Sequence, residues 1–230
     1  MTNSPDIFDD LKKDFERLNN NEELSLKDYL ELCARDKMAY ASPAERMLAG
    51  IGEPVLVDTK ADPRLSKIFS NKVIRVYPAF KEFYGLEETI EQIVSFFRHA
   101  AQGLEESKQI LYLLGPVGGG KSTIAEKLKE IMEWTPVYVL KDSPVFESPL
   151  GLFNPKEKYA PLLEKKYGIP QSAFQSVMSP WAVEKLKEYG GDISKFKVQK
   201  IYPSRLKQVC ITRVEPGDEN NQDISALVGK

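Results

Sequence analysis

A single histidine, His99, and two cysteines in 230 residues leave this sequence poor in metal-binding and thiol chemistry. One histidine excludes a histidine-rich zinc site and argues against a Ser-His-Asp hydrolase; a surface position near a helix end suits it better. Cys33 and Cys210 stand far apart, each in an apolar pattern, which predicts buried free thiols rather than a disulfide or a metal pair. No apolar run approaches the roughly 20 residues that span a bilayer. The acidic start, Met1 to Asp6, has neither the basic cluster nor the apolar stretch of a secretory signal. Together these absences predict a cytoplasmic protein with no membrane partner. Charge of one sign is missing too: 32 Lys and Arg face 34 Asp and Glu, a net charge of −2, so no global basic field draws in nucleic acid. With 42% hydrophobic and 29% charged residues the composition is that of an ordinary globular protein. The length holds one α/β domain with a smaller appendage.

Against that plain background one segment stands out. Gly115-Pro116-Val117-Gly118-Gly119-Gly120-Lys121-Ser122 fits G-x-x-x-x-G-K-[ST] at every fixed position and directly follows the apolar run Ile110 to Leu114. The residue types follow from the chemistry of phosphate binding. Glycines let the backbone curl so that successive N–H groups point at phosphate oxygens, where side chains would collide with the ligand. Lys121 brings a mobile cation to the β- and γ-phosphates, and Ser122 offers a hydroxyl to Mg2+. A helix starting near Lys121 and running through Thr123 turns its positive end toward the anion. Behind the loop, Ile124, Leu128, Ile131 and Met132 recur at helical spacing with charged residues between them. The candidate nucleotide-binding residues are therefore the loop, Gly115 to Ser122, and Thr123.

Three helical stretches are expected before residue 52. Ile7, Phe8, Leu11, Phe15 and Leu18 form one apolar stripe, and Ser25 caps a second helix bearing Leu26, Tyr29, Leu30 and Cys33. In Ser42-Pro43-Ala44-Glu45 a serine cap, a first-turn proline and a reciprocating glutamate predict a capping box, with Gly50 and Gly52 as the stop. Residues 53–82 mix short extended pieces, Val55 to Val57 and Val73 to Val76, with a turn at Asp62-Pro63, and read as a linker or wrapped segment. From residue 83 a strong helix carries Leu86, Ile90, Ile93, Val94, Phe96 and Phe97 and ends near Gly103, with Glu87, Glu88, Glu105 and Glu106 as solvated charge. Val137 to Leu140 is the strand after the loop helix, so strand, helix and strand predict a parallel, right-handed unit. Ser179-Pro180-Trp181 starts another helix that stops at Gly190-Gly191, with Trp181 as a packing residue. Val198 to Val214 is β-leaning before a polar turn. The expected division is a helical segment over 1–52, the wrapped segment over 53–82 and a nucleotide-binding core over 83–230.

A hydrolysing P-loop enzyme also needs a second carboxylate, usually at the end of an apolar strand, to position Mg2+ and the attacking water. Glu215, Asp218 and Glu219 are the nearest candidates. None has that register, and a solvated acidic turn accounts for them better. The His-Arg-Asp and Asp-Phe-Gly motifs of eukaryotic-type protein kinases do not occur.

Several longer stretches carry a resemblance. They are Ala44-Glu45-Arg46-Met47-Leu48 with Ile51 to Pro54, Arg64 to Asn71, Phe83-Tyr84-Gly85, His99 to Glu106, the P-loop with its flanks, Met178 to Ala182, and Glu215 to Asp223. Through them the chain resembles, over nearly its whole length, the N-terminal AAA-type region of the PrkA family of bacterial serine protein kinases. The resemblance implies an AAA+ P-loop fold with a parallel sheet flanked by helices, behind a small helical N-terminal segment. It implies ATP with Mg2+, phosphorylation of protein serine or threonine, and a homo-oligomer. It places Tyr84 and Gly85 near the adenine. It also implies that family members continue well beyond Lys230 and carry their second acidic motif there. Mechanical remodelling of a protein partner and a nucleotide-gated switch are the competing readings. A small-molecule kinase would need an arginine lid, for which Arg205 and Arg213 are too few.

Overall fold

A computed structural model of the chain describes residues 22–154, 160–174 and 177–213. The expected stripe Ile7 to Leu18 and the acidic turn with Glu215, Asp218 and Glu219 lie outside the described residues. Local signals close to the backbone act as read. Helix α1, Leu26–Arg35, follows the short strand β1, Glu23–Ser25, and the Ser25 hydroxyl accepts from Asp28 N–H at 3.1 Å. Helix α2, Pro43–Ile51, carries a complete capping box: Ser42 Oγ accepts from Glu45 N–H, and Ser42 N–H donates to Glu45 at 2.7 Å. Gly52, at φ +77°, ends the helix. Gly50 does not stop it and lies within the last turn, for a reason given by packing: a Cβ there would sit 2.4 Å from Ile131 Cγ2. The glycine lets two helices touch backbone to side chain.

Residues 53–82 hold a small unit of their own. Strands β2, Val55–Asp58, and β3, Val73–Val76, pair antiparallel with Val55 opposite Val76, and helix α3, Pro63–Phe69, connects them. Next come α4, Glu87–Ala101, and α5, Lys121–Glu133. Strand β4, Val137–Leu140, follows, then α6, Ala160–Tyr167, α7, Pro180–Glu188, and β5, Lys197–Ile201. Ser179 caps α7 by accepting from Ala182 N–H at 3.1 Å, and Gly190 and Gly191 close it at positive φ. Trp181 stacks edge-on to Phe196 at 6.3 Å, a packing role as expected.

The expected parallel strand–helix–strand unit is not formed among the described residues. The larger sheet has order β1-β5-β4 with both pairings antiparallel, and Ile110 to Leu114 has no ladder partner in it. Leu111 and Leu113 lean on the core while Ile110, Tyr112 and Leu114 are exposed, so the run has the alternation of a strand without a neighbour. A ladder needs a second chain segment at its edge, and here β4 takes β5, arriving from the opposite direction. The β-leaning run after 198 is likewise shortened. Pro203 follows β5, and beyond it only Ser204 and Val209 bridge. Cys210, at φ +59° just past that bridge, is exposed rather than buried; Cys33 is buried as expected.

Two apolar cores result. One joins the three-stranded sheet to α1 and α7 through Tyr29, Leu30, Cys33, Leu140, Ala182 and Val198. The second packs α2, α4 and α5 together through Met47, Ile51, Ile93, Val94, Ile124 and Leu128. Arg46 ties them. Its guanidinium is buried and donates to Ala41 O at 2.9 Å, to Ala39 O at 3.4 Å and to Pro136 O at the entry of β4. Burial lowers its pKa, and three backbone carbonyls hold the charge.

Candidate nucleotide site

The second core fixes α5 by its buried stripe Ile124, Leu128 and Ile131, which leaves the helix's first turn turned outward. Gly120 is its N-terminal cap at φ +75°, in the left-handed region that a side chain resists, and its carbonyl takes the first helical bond from Ile124 N–H at 2.9 Å. Upstream, Gly119 N–H donates to Pro116 O at 3.2 Å and closes a tight turn, with Gly118 at φ +79°. A Cβ on Gly119 would crowd Pro116 O at 3.1 Å; one on Gly118 would meet open space within 4 Å but remain strained. Val117, Ser122 and Thr123 are exposed. The first-turn amides of α5 lack intrahelical partners by construction, and they gather where the loop curls.

Lys121 shows what the site holds without a phosphate. Its ammonium donates to Gly115 O at 2.7 Å and Pro116 O at 2.6 Å, so the cation is folded over the loop and makes no ion pair among the described residues. A cation resting on two carbonyls of an exposed loop is available to an anion.

Leu86, which follows Tyr84 and Gly85, lies against the phosphate loop. A Cβ on Gly120 would lie 3.3 Å from Leu86 Cδ1, so the residue just before α4 touches the phosphate loop. Tyr84 is strongly exposed and Gly85 stands at φ +77°. The Leu86 contact was not foreseen; its only signal was an apolar residue between the Phe83-Tyr84-Gly85 stretch and a helix start. His99 lies in the last turn of α4, and its Nδ1 is 3.0 Å from Glu106, so that carboxylate is paired rather than merely solvated.

Arg205 and Arg213 are not at the loop. Arg205 Nε donates to Glu133 at 3.0 Å and its N–H to the same carboxylate at 2.7 Å, while both arginines approach Glu126 at 3.6 and 3.7 Å. They clasp the flank of α5. The Lys129 hydrogen bond, opposed by burial and helped by Lys129 and both arginines, holds the Glu126 carboxyl below its usual range. Glu147, unnoticed in the sequence, is buried after β4 and accepts from Ser179 N–H at 2.9 Å and from the Ser179 hydroxyl, fixing the start of α7. Among the described residues no group of three or more His, Cys, Asp or Glu is placed to hold a metal ion.

Around the site, a glycine-curled loop sits on a core-anchored helix, with Arg46 and Gly50 holding a preceding helix behind it. The PrkA AAA domain matches residues 24–230. The chain belongs to the PrkA AAA family. It is 59% identical over 228 residues to the serine/threonine kinase YeaG of Escherichia coli strain K12, an alignment covering 97% of this chain and 35% of the relative. It is 34% identical over 210 residues to the ATP-dependent protease PrkA of Bacillus subtilis strain 168, covering 88% of this chain and 31% of that protein. The chain thus spans about a third of the length of these relatives. No solved structure matches it significantly. As a PrkA AAA domain the chain is of mixed α/β, AAA type, and ATP is the ligand that assignment carries. No helix among the described residues is long and apolar enough to cross a membrane.

Proposed function

We propose that this chain is the ATP-binding region of a serine/threonine protein kinase, holding ATP with Mg2+ so that the γ-phosphoryl group passes to a protein serine or threonine hydroxyl and ADP leaves. The observation that carries the reading is the pairing of the curled loop, Gly118 and Gly120 at positive φ with the Lys121 ammonium resting on two loop carbonyls, with the 59% identity to a relative named a serine/threonine kinase. The loop fits a polyphosphate on two counts. The positions where a Cβ would crowd or strain the backbone are glycines, and the cation beside them is held only by neutral carbonyls.

In this reading the amides from Gly118 to Ser122 and the helix end of α5 bind phosphate oxygens, with Gly115 to Val117 shaping the turn. Lys121 leaves Gly115 O and Pro116 O for the β- and γ-phosphates. The Ser122 hydroxyl is the residue for Mg2+, a hard cation that prefers oxygen and would supply charge neutralisation at the phosphates. Thr123 borders the same turn, and Tyr84 and Gly85 border the base. The strand-like run Ile110 to Leu114 is proposed as a strand of the AAA+ parallel sheet. Its alternation supports this: Ile110, Tyr112 and Leu114 form an exposed apolar face that calls for a covering layer, and its backbone is in no ladder among the described residues. Homo-oligomerisation, in which a neighbouring subunit completes the site, belongs to the same proposal.

A second reading has its own support: one relative is named an ATP-dependent protease. An ATP-driven action on a protein partner without phosphotransfer would fit the same loop. Incubation of the intact protein with γ-labelled ATP and a casein mixture separates them. Labelled phosphoserine or phosphothreonine supports the kinase; phosphate release with unlabelled or cleaved casein overturns it.

A further inference from the structure

A cavity of about 550 Å3 opens between the unit formed by β2, α3 and β3 and the start of α4. Val57, Ile74, Val76, Phe80 and Ile90 give it apolar walls. Its size and its mostly apolar wall with a few polar groups are those of small-molecule sites. Gly115 to Ser122 contribute nothing to that wall, although Tyr84 and Gly85, proposed above to border the base, do.

Tyr77 and Glu87 do contribute, and they carry the two buried side-chain oxygens, Tyr77 Oη and Glu87 Oε2, that find no hydrogen-bond partner among the described residues. Tyr77 is only 2% exposed. Folded proteins almost always pair such groups, because a buried polar oxygen without a partner has lost its water for nothing. That both orphans fall on one cavity wall suggests that the missing partner belongs to an occupant. The remaining charges are otherwise placed: Arg64 lies 3.8 Å from Asp62, Arg75 pairs with Glu91, and Lys81 is exposed to solvent, where water screens it.

We propose that this cavity binds a small apolar amine. An ionised carboxylate only accepts, and a tyrosine hydroxyl can accept as well, so the occupant must bring donors. An ammonium brings three, and its charge answers that of Glu87. The apolar body lies against Ile74, Phe80 and Ile90. Glu87 is half-buried rather than solvated as expected, and its Oε2, without a partner among the described residues, is the oxygen the ammonium would meet. A nucleobase offers donors too, but no positive charge.

The test is calorimetric titration of the intact protein with 2-phenylethylamine, against 3-phenylpropionate, which has a similar body and the opposite charge. Saturable binding of the amine, with the acid bound at least about tenfold more weakly, is expected. Glu87→Gln should raise the amine Kd about tenfold or more. Val57→Trp, which fills the cavity from the small two-stranded unit, should abolish binding with the circular dichroism unchanged. Lys121→Ala should leave the amine Kd as it was, so that failure of the nucleotide reading and failure of this one are told apart. Absence of amine binding, equal binding of acid and amine, insensitivity to Glu87→Gln, or full displacement by an ATP analogue would overturn the proposal; the last would make the cavity part of the nucleotide site.

Discussion

Replacing Lys121 by alanine tests the phosphate cradle most directly, and the structure sets the size of the effect. An ammonium about 4 Å from a phosphate charge gains about 4 kcal/mol at an effective dielectric of about 20. To reach it, Lys121 must leave Gly115 O at 2.7 Å and Pro116 O at 2.6 Å. Each of those bonds contributes about 1 kcal/mol net. The difference, about 2 kcal/mol, corresponds to a loss of about 30-fold in affinity on removing the ammonium. The fold should survive, because the bonds lost belong to an exposed loop: the urea midpoint should correspond to a change of no more than about 2 kcal/mol. The assay is titration of a fluorescent ATP analogue into wild type and Lys121→Ala at two salt concentrations. The gap between the proteins should narrow as salt rises, since the lost term is Coulombic and solvent-exposed. A Kd unchanged within about threefold, with the variant folded, would remove Lys121 from the site and the phosphate-cradle assignment with it.

Gly50→Ala should destabilise by about 1–2 kcal/mol although alanine favours helix, because the new Cβ would sit 2.4 Å from Ile131 Cγ2; in an Ile131→Ala background the same change should be neutral or stabilising, and a stabilised single variant in urea denaturation would contradict the packing argument. Glu147→Ala should cost about 2–3 kcal/mol by the same measurement, since it strips a buried carboxylate from the Ser179 N–H and hydroxyl; a change under about 0.5 kcal/mol would show that α7 does not depend on it. Iodoacetamide should label one thiol in the native protein and two in denaturant, read by mass spectrometry. Burial pushes the Cys33 thiol up to about 11 and shields it; desolvation raises Cys210 too, but its side chain is reached from solvent, so native double labelling would count against this packing. The Glu126 carboxyl, held below its usual range chiefly by Lys129, stabilises the clasp fully above the ordinary carboxylate range and ceases to as pH falls through its lowered folded value. Glu126→Gln should therefore flatten the acid limb of a stability profile taken between about pH 3 and pH 6, and an unaltered limb would dismiss the clasp.

What the sequence alone determined lies within a few residues of itself. The capping box of Ser42 and Glu45, the Ser25 and Ser179 caps, the Gly190-Gly191 stop and the glycine positions of the phosphate loop all depend on backbone geometry over one turn, which residue types specify directly. The amphipathic stripes of α1, α4 and α5 were legible for the same reason, as spacing along one helix. Only the tertiary structure decided which segments meet. The run Ile110 to Leu114 has the pattern of a strand, but a ladder requires a neighbour, and the described residues give β4 to β5 instead. Cys210 looked buried by its apolar surroundings, yet Pro203 and a single bridge left it outside the sheet. Gly50 looked like a helix stop until Ile131, 81 positions away in sequence, occupied the space of its side chain. Leu86 against Gly120, Arg46 on Pro136 O and the arginine clasp on Glu126 and Glu133 are contacts of the same kind: each depends on the relative placement of whole elements, which packing fixes and no local spacing encodes.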